Sequence, residues 1–194
     1  MNSAPEKKNK KIIIGVTGAS GAIYARLLLE KIQTLNVQIE DCILLLSENA
    51  KEVWDYELGG DSWKTLPYKN FGPNDFFAPV ASGSAGYDAM IICPCSMATL
   101  GRIANGISTD LITRSADVIL KERKKLILCV REMPYSLIHL NNMKILTEAG
   151  AIICPASPSF YSMPGDLRAA VMTVVDKILS LAGFEFDHYR WGDK

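Results

Sequence analysis

The residues of this chain best suited to chemistry sit in short polar turns that follow apolar runs. The first turn is Gly15-Val16-Thr17-Gly18-Ala19-Ser20-Gly21, ahead of a helical stretch. A glycine turn into a helix offers backbone N–H groups to an anion, or it is a plain tight connection. The glycines alone leave the two readings equal. The spacing is neither G-x-G-x-x-G nor a phosphate loop ending in Gly-Lys-Ser/Thr; Ser20 adds a hydroxyl. Ser47 follows the next apolar run. A dinucleotide site favours Asp or Glu there to hold the adenosine ribose, and Glu40 and Asp41 stand at the other end of the run. That points away from NAD and toward a mononucleotide such as FMN. Pro94-Cys95-Ser96-Met97-Ala98-Thr99 opens another helix with small polar groups. It is a second nest for a flavin ring or a phosphate, unless Ser96 serves only as the helix cap.

Charged groups fall at similar places. Arg131-Glu132-Met133-Pro134 lies at the mouth of a buried run, where Arg131 can hold an anion or form a surface ion pair with Glu132. Pro155-Ala156-Ser157-Pro158-Ser159-Phe160-Tyr161 is a rigid loop whose Tyr161 can donate to a phosphate or cap a core edge. Glu57 follows Val53 by four residues and Trp54 by three, so it shares their apolar face. It is either a snorkelling edge residue or a perturbed functional acid, and its position favours the former. Arg114 and Lys121 share one helix face, each four residues after an acid, Asp110 and Asp117. Two i,i+4 ion pairs on a solvated face account for them best.

These turns need elements to position them. Strand-like runs are read at 11–16, 39–46, 87–95, 126–130 and 151–154. Helical periodicity is read at 22–32, 49–58, 96–104, 108–123, 136–149 and 166–181, with Asp166 as an N-cap. Residues 59–86 break the rhythm with Gly, Pro and Ser, and a loop that long is more often functional than idle. The runs are continuously apolar, so both faces are buried. With helices between them, the expectation is an α/β domain with a doubly wound parallel sheet. Ligands then sit beyond the carboxyl ends of the strands, where these turns fall.

The 194 residues fit a single domain over 11–194 behind a polar tail at 1–10. Lys and Arg number 21, as do Asp and Glu. The first eleven residues hold four Lys and one Glu, which leaves 17 basic and 20 acidic groups in the body. That balance argues against nucleic acid. The apolar runs are too short to cross a bilayer, and no secretory signal is read. The five cysteines are odd in number, form no C-x-x-C and find no zinc spacing with His139 or His188. They read as buried thiols of a reducing cytoplasm.

Seven segments, in order from residue 11 to 192, together resemble the UbiX-type flavin prenyltransferases. They are Thr17 to Ala22, Ala81-Ser82-Gly83-Ser84, Cys93 to Ser96, Arg114 to Val118 with Leu120 to Arg123, Val130-Arg131-Glu132, Phe160-Tyr161 and Arg190-Trp191-Gly192. The resemblance implies a Rossmann/flavodoxin-like three-layer sandwich that binds FMN and assembles as a homo-oligomer, typically a dodecamer. The implied reaction moves a dimethylallyl group from dimethylallyl monophosphate to N5 and then C6 of reduced FMN. The product, prenylated FMN, goes to UbiD-type decarboxylases.

Carried over by matching position, Gly18, Ala19, Ser20, Ser47, Ser96, Met97, Ala98, Thr99 and Arg131 are the implied FMN contacts. Lys121, Arg131, Glu132, Tyr161 and Lys177 match the substrate-phosphate site. Ser20 and Glu57 match residues near flavin N5, and Trp191 an aromatic that closes the pocket. The implied catalytic set is Ser20, Glu57, Lys121 and Glu132. Lys177 stands where many members have Arg, which keeps the charge and loses the bidentate fork. Ala98 stands where some members have Lys. No Asp-rich motif is present, so Lys and Arg are expected to neutralise the leaving phosphate without a metal. Two other readings compete: an FMN-dependent cysteine decarboxylase of the same fold, whose P-x-M-N-x-x-M-W signature is absent, and a non-catalytic FMN-binding protein.

Overall fold

Residues 12–16, 43–46, 89–95 and 126–130 are buried at every position. Such runs belong in the interior of a sheet covered on both sides. In the computed structural model, which describes residues 9–190 and 192, they form the centre of six strands. These are β1 (Lys10–Val16), β2 (Ile39–Leu46), β3 (Lys69–Asn70), β4 (Ala89–Cys95), β5 (Lys125–Val130) and β6 (Ile152–Ile153). The order is β3-β2-β1-β4-β5-β6, with every neighbouring pair parallel.

Among the described residues, six α-helices cover the sheet: α1 (Ala22–Thr34), α2 (Glu48–Leu58), α3 (Met97–Ala104), α4 (Leu111–Lys121), α5 (Leu137–Glu148) and α6 (Leu167–Ala182). Alternate residues of each strand serve opposite cores. Ile12, Ile14 and Val16 pack with Leu28 of α1, Trp54 of α2 and Val175 of α6. Ile13, Met90 and Ile92 pack with Leu100 of α3, Ala116 of α4 and Leu146 of α5. The expected doubly wound three-layer fold is therefore the observed one. Without the two-residue edge strand β3 the order is that of flavodoxin-like folds, and with it that of dinucleotide-binding folds. Either way the winding reverses between β1 and β4, and a ligand crevice opens above that point.

Several boundaries differ from the sequence reading. Lys10 already belongs to β1, and residues 1–8 lie outside the described residues. The helix expected over 108–123 begins at Leu111, because Asp110 caps it in a reciprocal box with Thr113. The irregular stretch 59–86 holds β3 and three single 3-10 turns. Asp166 caps α6 as expected, its Oδ1 accepting from Ala169 N–H at 2.7 Å. All five cysteines are free thiols; four are buried and Cys42 is half-buried. Burial, with Asp41 alongside, pushes the Cys42 thiol up to about 12, so it stays protonated at neutral pH. No helix among the described residues is long and apolar enough to cross a membrane.

Candidate active site

A cavity of about 380 Å³ opens at the carboxyl edge of β1, β2 and β4, lined in part by Gly18, Ser47, Ser96, Ala98 and Thr99. Local hydrogen bonding explains why these turns meet. The Thr17 hydroxyl donates to the Pro94 carbonyl at 2.8 Å and accepts from Ser96 N–H at 2.8 Å, which locks the β1 turn to the β4 turn. Gly18 must be glycine because a Cβ there would collide with Asn49 of α2. Ser47 caps α2, and Ser96 caps α3 by accepting from Thr99 N–H at 3.3 Å. The capping role weighed for Ser96 is thus real, and it coexists with a place on the cavity wall. The Met97 and Ala98 N–H groups open α3 with no intrahelical acceptor. Met97 itself is buried, as is Ala19, whose N–H donates to the Thr17 carbonyl. Phe71, Gly72 and Pro73 of the irregular stretch form the outer wall, tied to α4 by Leu111 N–H donating to Pro73 at 2.7 Å.

One inference about β2 needs correction. An acid does stand at its mouth, one residue beyond Ser47: Glu48 lines this cavity and pairs with Lys51 at 2.7 Å.

At the end of the first turn, the Gly21 and Ala22 N–H groups are engaged within the chain. The start of α1 is occupied by a carboxylate of the protein itself. Glu57 accepts from Gly21 N–H at 2.9 Å and from Ala22 N–H at 2.7 Å. Gly21 adopts a φ of 111°, a left-handed conformation that favours glycine. Glu57 is not a snorkelling edge residue, since it leaves the Trp54 face to reach a different helix. Partial burial pushes its carboxyl up, but the Ser20 hydroxyl, the two N–H groups and the Arg131 charge outweigh that and hold it below the ordinary carboxylate value. At neutral pH it is a carboxylate ready to accept a proton, not an acid ready to give one.

Arg131 follows β5 and stands near Glu57 and Tyr24. Its Nε is buried with no hydrogen-bond partner among the described residues. The surface pair weighed for Arg131 and Glu132 does not form among the described residues; Glu132 instead accepts from Met133 N–H at 3.0 Å. Tyr24, one turn into α1, donates its hydroxyl toward the Ala156 carbonyl at 3.4 Å, and burial raises its pKa. Ser20, Glu57, Arg131 and Tyr24 thus form one cluster.

Tyr161 and Lys177 line a second cavity of about 650 Å³, between α6, the loop after β6 and the C-terminal segment. Asp176 lies on its wall, where burial raises its carboxyl pKa and Oδ1 has no partner among the described residues.

Lys121 is not brought to either cavity within the chain. It ends α4 beside the start of β5, while Arg131 follows the end of β5. Six strand residues at about 3.3 Å each separate the two by roughly 20 Å. The i,i+4 pairs expected on α4 are also absent: Asp110 pairs with Arg102, Arg114 with Asp117, and Lys121 with Glu122. Trp191 lies outside the described residues. Among the described residues no group of three His, Cys, Asp or Glu is placed to hold a metal ion.

Sequence reasoning missed Arg102, Asp110 as its partner, and Tyr24. Arg102 lies six residues beyond Ser96, on the helix that Ser96 caps, and Tyr24 four residues beyond Ser20. Extending each turn motif by one helical turn would have found both.

The Flavoprotein family model matches residues 1–183 of the chain. The chain is 43% identical over 189 residues to the flavin prenyltransferase UbiX of Methanocaldococcus jannaschii, covering 94% of this chain and 98% of that protein. The crystal structure of AnUbiX (PadA1) with FMN and dimethylallyl pyrophosphate is 36% identical, with a TM-score of 0.88 over 96% of this chain and 100% of that one. A dodecameric FMN-dependent UbiX-like decarboxylase from Escherichia coli O157:H7 is 37% identical, with a TM-score of 0.87 over 93% and 98% of the chains. The peptidyl-cysteine decarboxylase EpiD, 18% identical at a TM-score of 0.60 over 88% of this chain and 99% of that one, shares the fold.

Proposed function

Because the chain belongs to the flavoprotein family, and within it to the UbiX-type flavin prenyltransferases, we propose that it joins a dimethylallyl group from dimethylallyl monophosphate to reduced FMN. The observation that carries this is the pair of cavities. One collects the turn residues suited to a flavin, and the other holds Tyr161 and Lys177, suited to a second phosphate. A protein that merely stores FMN needs only one phosphate site.

The residues present fit FMN. Gly18 lines the first cavity, the start of α3 faces it with Ser96, Ala98 and Thr99, and the buried Arg131 Nε has no hydrogen-bond partner among the described residues. When bound, the flavin supplies the nucleophilic N5 and C6 positions. The chain supplies the rest. Lys177 and Tyr161 bind the phosphate that leaves with the electron pair of the broken C–O bond. The Ser20 hydroxyl, hydrogen-bonded to the ionised Glu57, offers a route for a proton toward that carboxylate.

The working form is a homo-oligomer, with the E. coli neighbour's dodecamer as the precedent. Leu137 and Ile138 of α5 are 72% and 71% exposed, with Met133, Leu140, Phe160 and Met163 also bare. A monomer rarely shows that much apolar surface. Lys121 then reaches the site from a second copy. The free thiols suit the cytoplasm, and the recipient of the product is a UbiD-type decarboxylase.

Mass spectrometry of the flavin released after anaerobic incubation with reduced FMN and dimethylallyl monophosphate, in EDTA, tests the reaction. The flavin should gain one dimethylallyl unit; recovery of unmodified FMN would overturn the assignment. The phosphate clamp is tested by titration. Lys177→Ala should weaken the monophosphate by about 1.5–3 kcal/mol, the scale of a charged hydrogen bond. FMN affinity should hold, and Lys177→Arg should keep activity. Equal losses for both ligands, or none, would place Lys177 outside the clamp.

A further inference from the structure

The first cavity has one cation on its wall among the described residues, and it is Arg102 of α3. We propose that Arg102 neutralises the phosphate end of the flavin in that cavity, an assignment that rests on the flavin reading above. Its guanidinium is already oriented. Nη1 donates to Asp110 Oδ2 at 2.7 Å and to Thr109 Oγ1 at 3.1 Å, and Nη2 donates to Thr99 Oγ1 at 3.3 Å. Thr99 Oγ1 in turn accepts from the Ser96 hydroxyl at 3.1 Å. The charge, two hydroxyls and the opening N–H groups of α3 therefore converge on one spot, where an anion gains from each. The Arg102 Nε is buried with no partner among the described residues, so the fork keeps a donor in reserve.

Other places for the phosphate are committed elsewhere. The start of α1 holds the Glu57 carboxylate, Arg131 is not on the wall of this cavity, and Lys51 pairs with Glu48. A sugar hydroxyl or the flavin ring needs no full positive charge, whereas a phosphate dianion leaving water does. Asp110 sets the limit of the device. Its Oδ1 caps α4 by accepting from Thr113 N–H at 2.8 Å, while Oδ2 holds Arg102 in place and offsets part of its charge.

The discriminating probe is riboflavin, which carries the same ring and ribityl chain without the phosphate. Binding of FMN and of riboflavin is measured by fluorescence quenching on the wild-type protein and on variants that retain its melting temperature. Arg102→Met should weaken FMN about 10- to 100-fold, the range of one charge-assisted contact, and riboflavin less than about twofold. Arg102→Lys should recover part of the loss. Asp110→Asn keeps an oxygen to cap α4 and removes the competing charge, so FMN should tighten by about two- to fivefold with riboflavin unchanged. Equal losses for the two ligands in Arg102→Met, or no loss for either, would overturn the assignment and make Arg102 a strut between α3 and α4. Failure of the wild-type protein to bind either flavin would overturn the flavin reading itself, which separates the two failures.

Discussion

Lys121→Ala and Arg131→Ala, each inactive alone, should regain about one-quarter of wild-type activity when mixed, dissociated and reassembled in equal amounts, as expected for a site shared by two copies of one chain. The reason is distance. Lys121 stands at the starting edge of the sheet and Arg131 at its finishing edge, with the whole of β5 between them. No side-chain motion closes roughly 20 Å. If both act on one phosphate, they come from different copies, and random mixing then gives one site in about four with both residues intact. Each single variant should lose at least about 10²-fold in turnover, the usual cost of removing one preorganised charge from a phosphate-leaving site. Steady-state assays after reassembly, with the oligomer checked by size exclusion, provide the test. No recovery in a mixture of the correct size would mean that Lys121 does not serve a neighbour's site.

Glu57→Gln should slow prenyl transfer by about 10²-fold with FMN binding retained, if the carboxylate takes the proton that the reaction releases. Gln keeps an oxygen for the Gly21 and Ala22 N–H groups, so α1 stays capped, but its amide is not a base. The same substitution carries a stability signature with a defined sign. The Glu57 carboxyl is held below its ordinary value of 4.5, so its stabilising contribution is complete above that value and is lost as pH falls through the lower folded value. The melting-temperature gap between wild type and Glu57→Gln should therefore be open at neutral pH and close in acid. Unchanged turnover with that gap intact would leave Glu57 as a helix cap alone.

Much of the site was legible before the fold because a doubly wound sheet imposes a rule of position. Its ligands lie where strands end. Continuous apolar runs marked the strands, so Gly18, Ser47, Ser96 and Arg131 could be placed at one edge from order alone. The alternation of strand and helix was enough for the layers, since a run with no polar face must be covered twice.

Contacts between elements distant in the chain were a different matter. Periodicity put Glu57 on the Trp54 face of α2, and nothing local says that its carboxylate instead reaches the start of α1, 35 residues away in sequence. Spacing paired Asp110 with Arg114, but a capping residue points back along the chain, and Arg102 of α3 is what it meets. Local sequence therefore determined the elements and the edge where chemistry collects, because burial and periodicity act within a dozen residues. Only the tertiary structure decided which charge answers which, because helices packed side by side bring together groups that no spacing rule relates.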